Sequence, residues 1–296
     1  MRLINVNTYE IEEFFGSDIP NYIALSHTWL PQEEPSFQDW SNAIMTELNK
    51  VLGYEKIHNF ICKSQTLDGT YCWADTVCID KSSSAELSEA INSMYKIYRN
   101  CHHCLVYLAD VKAETKHSKD EYSRLVQSRW FTRGWTLQEL IAPEDLVFYD
   151  KNWRYLGLRN IYLAAIQQTT GISTDVLVGT TNLKSYSIAE RMSWASKRTT
   201  TREEDLAYCL LGILDINMPL LYGEGEKAFQ RLQEEIIKKY DDDSVFVWSC
   251  SSASSSTYRG ILARSPSEFA NSRGISFFGS RYSEPYSMTN QGLRAQ

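Results

Sequence analysis

Short apolar runs and stretches of helical period alternate along the first half of the chain. "YIALSHTW" (22–29) is apolar until it turns polar, which predicts a buried strand carrying Ser26 and His27 to its C-terminal end. "SFQDWSNAIMTELNKVLG" (36–53) has helical spacing and closes on a glycine. "TYCWADTVCID" (70–80) predicts a second strand, interrupted by Asp75. In "SAELSEAINSMYKIYRNC" (84–101), Leu87, Ile91, Met94, Tyr95 and Tyr98 fall on one helical face. "CLVYLAD" (104–110) predicts a third strand ending in Asp110, and "DLVFYD" (145–150) a fourth. The alternation predicts an α/β core with a mostly parallel sheet covered by helices on both faces. In such sheets ligands settle outside the carboxyl ends of the strands. Ser26, His27, Asp75, Asp80 and Asp110 sit at or just after those ends, where polar residues also serve as ordinary turn formers.

Past about residue 155 the pattern turns helical. "SIAERMSWASKR" (187–198), "TREEDLAYCLLGILDI" (201–216) and "EGEKAFQRLQEEIIKKY" (224–240) predict helices without intervening strands, and Thr201 with Glu204 has capping-box spacing. "SCSSASSS" (249–256) is a Ser-rich linker-like stretch. The expected organisation is an α/β core over 1–155, a helical extension packed on it over 156–245, and a weakly patterned tail over 246–296.

Composition narrows the function classes. A net charge of −7, with no Lys/Arg run, excludes a nucleic-acid footprint built on a basic face. No stretch reaches the roughly 18 apolar residues that cross a bilayer, and "MRLINVNTYEIEEFFG" lacks the apolar run of a signal peptide. Seven cysteines without framework spacing suit a reducing compartment. The expected location is cytoplasmic. Eight Trp and 18 Tyr supply stacking and docking surfaces as well as core.

Several motifs carry less chemistry than they offer. "CHHC" (101–104) is one compact pair without the second pair that tetrahedral zinc needs, so no metal is expected. "YGEGEKAFQ" (222–230) lacks the spacing and the Lys-Ser/Thr of a phosphate loop, and predicts a turn before a helix. "DDD" (241–243) reads as a solvated loop. A Ser26, His27 and Asp75 hydrolase fits poorly, because adjacent strand residues point to opposite faces and there is no G-x-S-x-G elbow; a hydrolase using His27 with Asp75 or Asp80 stays as a third, weaker reading.

"SRWFTRGWTLQEL" (128–140) poses a sharper question, because Glu139 stands alone in an apolar stretch. Thr136-x-x-Glu139 has capping-box spacing, but a helix from Leu137 ends within six residues at Pro143. A longer helix capped by Ser128 places Glu139 mid-to-late, where an acid opposes the helix dipole. On that reading a surface position offers Glu139 no evident benefit, and a ligand-facing role stands beside the structural one.

"YIALSHTW", "WADTVCID" and "RGWTLQEL" resemble, in form and order, the three signature blocks of the fungal HET (heterokaryon incompatibility) domain. The segment 190–236 is similar to what commonly follows them in that family. The resemblance implies a cytosolic module of self/non-self recognition that triggers cell death, often coupled to a sensor in the same or another chain. It also implies a fold related to TIR domains. Catalytic TIR domains carry a glutamate in a segment similar to S-x-W-C-x-x-E-L and cleave the nicotinamide–ribose bond of NAD; "RGWTLQEL" matches it with Thr136 in place of Cys. By that resemblance Glu139 is the catalytic residue, and Ser26, His27, Trp29, Asp75, Asp80, Arg133 and Trp135 surround the substrate, with Arg133 facing phosphates and the tryptophans stacking on rings. NAD or NADP is then a substrate, no cofactor is needed, and activity follows self-association into a homo-oligomer. The alternative is a TIR-like signalling module that self-associates without catalysis.

Overall fold

The computed structural model describes residues 1–30, 34–42, 52–113, 119–250, 260–276, 286–289 and 292–294. The chain forms two compact units: residues 1–131 with 139–165, and residues 132–138 with 166–296.

The first unit is built on β1 (Arg2–Asn5), β2 (Ile11–Glu13), β3 (Tyr22–His27), α1 (Phe37–Asn42), α2 (Leu52–Thr66), β4 (Tyr71–Trp73), α3 (Asp75–Cys78), α4 (Ser84–Asn100), β5 (His103–Tyr107), α5 (Lys119–Val126), α6 (Thr136–Ile141), β6 (Leu146–Tyr149) and β7 (Tyr155–Leu158). The sheet runs β2-β1-β4-β3-β5-β6-β7. β4, β3, β5 and β6 pair in parallel, whereas β2 on β1, β1 on β4 and β7 on β6 are antiparallel. The sheet is therefore mixed rather than mostly parallel: a parallel heart carries antiparallel edges. β3 lies in that heart with all six residues buried, in register with Cys72 of β4 and His103 of β5 through Ile23. α4 follows the sequence closely, with Ser83 accepting from the Glu86 N–H at its start and Ile91, Met94 and Tyr98 buried.

Four sequence expectations change in this unit. The strand predicted over 70–80 stops at Trp73, because Asp75 opens a short helix, where an acid suits the first turn. The helix predicted over 36–53 is described only to Asn42; its part over 43–51 lies outside the described residues, and α2 begins beyond it at Leu52. The helix predicted from Ser128 is instead a 3-10 turn over Arg129–Thr132 followed by the separate, six-residue α6. Ser128 does cap, accepting from the Trp130 N–H at 3.2 Å, but it caps the 3-10 turn. Glu139 consequently sits in the first turn of α6, where its charge suits the dipole. Finally, β7 is a strand where none was expected; it is a short edge strand with its outer residues exposed, too brief to show a period.

The boundary between units falls inside α6, between Gln138 and Glu139. α7 (Leu163–Thr170) is divided after Ala165. The second unit continues through α8 (Thr174–Leu177), α9 (Ile188–Ser193), α10 (Asp205–Tyr208), α11 (Leu211–Leu214) and α12 (Lys227–Lys239), then a hairpin of β8 (Ser287–Thr289) and β9 (Gly292–Arg294). The helix predicted over 201–216 is thus two short helices. Arg133 bridges Thr199, the Gly134 N–H reaches Thr199 O at 2.9 Å, and a Cβ on Gly134 would come within 2.5 Å of Thr200. That close approach excludes a side chain at 134 and keeps residues 133–134 between the 3-10 turn and α6 out of helix.

Thr201 and Glu204 do not form a capping box. Thr201 Oγ1 accepts from Arg133, and Glu204 Oε1 accepts the N–H groups of Gly223 at 2.7 Å and Gly225 at 3.1 Å. The glycine-rich turn, with φ of +102° and +59° at those glycines, does gather amides around an anion, but the anion is the chain's own carboxylate. Gln233, fully buried on α12, exchanges both amide hydrogen bonds with the Ala263 backbone at 2.8 and 2.9 Å and so anchors the segment around Ala263.

Candidate functional site at the end of the central strand

β3 ends in two residues that point to opposite faces of the sheet, as period-two geometry requires, and each gathers its own polar cluster. On one side, Ser26 Oγ donates to Glu139 Oε2 and accepts from Trp130 Nε1 at 2.8 Å. Ser26 and Trp130 are fully buried and Glu139 is 7% exposed. Tyr98 closes the back of this cluster: its hydroxyl donates to Leu25 O at 3.0 Å, and burial, with Glu139 adding repulsion, pushes its pKa far up, so it stays a protonated donor. Arg159 caps the far end of α6, donating to Leu140 O, Pro143 O and Glu144 O at 2.8–3.0 Å, which fixes the helix that carries Glu139.

On the other side, Asp75 is the hub. It accepts from Trp29 Nε1 at 3.0 Å, lies 3.0 Å from His27 Nε2, and has Lys81 Nζ 3.7 Å away. Burial alone raises the Asp75 pKa, but Lys81 and the His27 hydrogen bond outweigh it and hold the carboxyl well below its ordinary range. An ionised Asp75 only accepts, so His27 donates from Nε2. Burial, reinforced by Lys56, lowers the His27 pKa despite Asp75, and the ring is neutral at neutral pH. Behind it Lys56 pairs with Glu34, which also accepts from the Leu30 N–H at 2.6 Å and ties down the chain leaving β3. Lys81 Nζ lies 3.8 Å above the Trp29 ring, and Trp29 itself is 49% exposed. Arg129 reaches Thr28 Oγ1 at 3.0 Å and Trp29 O at 3.4 Å.

Five of the expected site residues thus converge on the end of β3 within the first unit: Ser26, His27, Trp29, Asp75 and Glu139. Asp80 does not join them; its carboxylate takes the Ser82 N–H at 2.9 Å, the Ser82 hydroxyl and Gln38, forming the turn before α4. Arg133 and Trp135 belong to the second unit, where Arg133 donates to Thr201 at 3.1 Å and Trp135 to the carboxylate of Asp205. Asp110 accepts from Ser128 Oγ at 2.6 Å and the Arg129 N–H at 2.8 Å, a turn-forming role. In "CHHC", Cys101 and Cys104 are buried, and His103 Nδ1 lies 2.6 Å from Asp145. Sequence reasoning missed Lys81 and Trp130. The signal for both was adjacency: Lys81 directly follows the block "WADTVCID", and Trp130 lies five residues before Trp135.

Comparison with known proteins agrees with the signature blocks. The profile of the family described as Heterokaryon incompatibility protein (HET) matches residues 22–124, and that of a domain of unknown function matches residues 227–274. Vegetative incompatibility protein HET-E-1 of Podospora anserina is 46% identical over 226 residues, 74% of this chain; those residues span only 16% of that protein. No solved structure matches the chain. Among the described residues no helix is long and apolar enough to cross a membrane. The strand and short helix that carry Ser26, His27 and Asp75 lie inside the matched profile, and the chain belongs to the heterokaryon incompatibility (HET) family.

Proposed function

We propose that this chain is a cytoplasmic cell-death effector of fungal vegetative incompatibility, related to TIR domains, that hydrolyses the nicotinamide–ribose bond of NAD or NADP when self-associated. The observation that carries the reading is Glu139, a carboxylate 7% exposed, held against Ser26 at the C-terminal end of a parallel strand. Such strand ends are where ligands settle in α/β sheets. Ser26 is locked in turn by Trp130, so the carboxylate has one orientation before any ligand arrives. In the reaction the bond between the nicotinamide nitrogen and ribose C1′ breaks, and its electron pair neutralises the pyridinium. Water then adds to C1′ and releases a proton. The intervening oxocarbenium-like state is cationic, and a fixed anion stabilises it more than the ground state. His27, Asp75 and Trp29 line the other side of the strand end and take the remainder of the nucleotide. An upstream sensor, in the same or another chain, supplies the trigger.

A second reading has its own support: the named hydrogen bonds of Ser26, Trp130 and Glu139 are all internal to the first unit, as in a purely structural tether. On that reading the chain is a signalling module that self-associates without chemistry. Purified protein incubated with NAD, with nicotinamide and ADP-ribose separated chromatographically, decides between them. Cleavage whose rate per molecule rises with protein concentration or with forced dimerisation is expected. A concentration-independent rate in a proven monomer removes the self-association element, and no cleavage at any concentration leaves the signalling module.

A further inference from the structure

Trp29 is an exposed aromatic that the fold holds still. Its indole N–H is bound to Asp75 at 3.0 Å, its carbonyl to Arg129 at 3.4 Å, and its ring lies 3.8 Å below Lys81 Nζ, yet 49% of the residue faces solvent. A large apolar ring left half-exposed and fixed in orientation is the arrangement of a stacking platform, with its ordering cost already met. The ammonium beside it is just as telling. Lys81 stands 3.7 Å from Asp75 Oδ2, farther than the 3.0 Å contacts that carboxylate makes with His27 and Trp29, and its side chain is 34% exposed. It carries three donors on a flexible stem. Lys56, by contrast, is sealed against Glu34 with 2% exposure and has nothing to offer a ligand.

We propose that Trp29 and Lys81 form the adenylate subsite of a nucleotide, the base stacking on the indole and Lys81 pairing with the phosphate. This rests on the NAD-hydrolase reading for its substrate, and it transfers to Lys81 the phosphate contact that sequence assigned to Arg133. Spacing supports the division of labour. Ser26, which holds Glu139, and Trp29 are three residues apart, a separation of at most roughly 11 Å along extended chain. One dinucleotide laid over the end of β3 reaches both. Arg129 is a positioning residue here, since its contacts with the Thr28 hydroxyl and Trp29 carbonyl set the course of the strap that carries the platform.

The test titrates ADP into the full chain, following tryptophan fluorescence and calorimetric heat, beside Lys81→Glu and Trp29→Ala variants checked for an unchanged melting temperature. ADP binding is expected to weaken about tenfold or more in Lys81→Glu, the scale of one lost charge-assisted contact, and to lose its salt dependence. Trp29→Ala is expected to weaken it comparably, and in turnover both losses fall on KM. Undiminished ADP affinity in both folded variants, or no ADP binding by the wild-type chain at millimolar concentration, overturns the subsite. If the chain binds ADP through Trp29 and Lys81 yet never cleaves NAD, the subsite stands and the hydrolase reading falls.

Discussion

The two faces of β3 make opposite uses of buried polar groups. On the Ser26 side a carboxylate, a hydroxyl and an indole are sealed together, with Ser26 and Trp130 at 0% exposure. On the His27 side a carboxylate with a neutral imidazole beneath it opens outward to a half-exposed indole and an ammonium. The difference is electrostatic in origin. Asp75 keeps its charge because Lys81 and the His27 hydrogen bond offset its burial, and its partners Trp29 and Lys81 are open to solvent. Glu139 meets its donor inside the protein, where an anion is costly unless oriented groups hold it. A sealed carboxylate is placed to act on charge that develops close by, and an open cluster to grip what arrives from solvent.

The substitution that strains this comparison most is Glu139→Gln. Gln keeps the shape and can still accept from Ser26, but removes the negative charge, so turnover of NAD is expected to fall about a hundredfold to a thousandfold with the melting temperature little changed. Full activity and full killing in the Gln variant return Glu139 to the scaffold and make the sealed cluster a tether.

Stability should divide the two sides next. Trp130→Phe deletes the buried donor to Ser26, and chemical denaturation is expected to show a loss of about 1–3 kcal/mol. Trp29→Phe, at a half-exposed site, should move stability by no more than about 0.5 kcal/mol. Equal losses from the two would mean that the open platform is part of the packed core.

The smallest effect is a pH slope from the His27 side. The folded-state pKa of His27 lies below its ordinary value near 6.5, so the unfolded chain takes up the proton first. The stability that neutral His27 contributes is complete above that value and declines as pH falls toward the folded pKa. Asp75, also depressed, contributes stability above its ordinary value near 3.8 that is lost as pH drops further. Denaturant midpoints measured from pH 7 to pH 4 should decline for wild type and flatten in a His27→Gln variant; an undiminished slope in the variant assigns it to other groups.

Much of the first unit was legible because its strands and helices carry their period openly: β3, α4, β5 and β6 lie where apolar runs and helical spacing place them. The placement of Ser26, His27 and Trp29 at the end of β3 was legible, since adjacency to a strand end is a local property; Asp75 and Glu139 stood out in their own blocks, but not as their partners. Arg133 and Trp135 fall in the other unit, because closeness in sequence to Glu139 says nothing about which unit a residue joins. The chain divides between Gln138 and Glu139, in the middle of a signature block. Lys81 and Trp130 stood beside signature blocks in the sequence, but their contacts emerged only once the fold set an ammonium over one indole and another indole against Ser26.

What this sequence determined by itself is the set of groups that end β3 and the opposite directions in which Ser26 and His27 point, because strand periodicity is a covalent consequence of backbone geometry. The family, too, was written in its three blocks. Only the tertiary structure decided which distant residues answer those two side chains. Partners 113 and 48 residues away, Glu139 for Ser26 and Asp75 for His27, are brought in by strand register and helix docking rather than by local spacing. Burial then kept His27 neutral, while Lys81 and the His27 hydrogen bond kept Asp75 charged against its burial, since the cost of a charge depends on surroundings that no stretch of sequence contains.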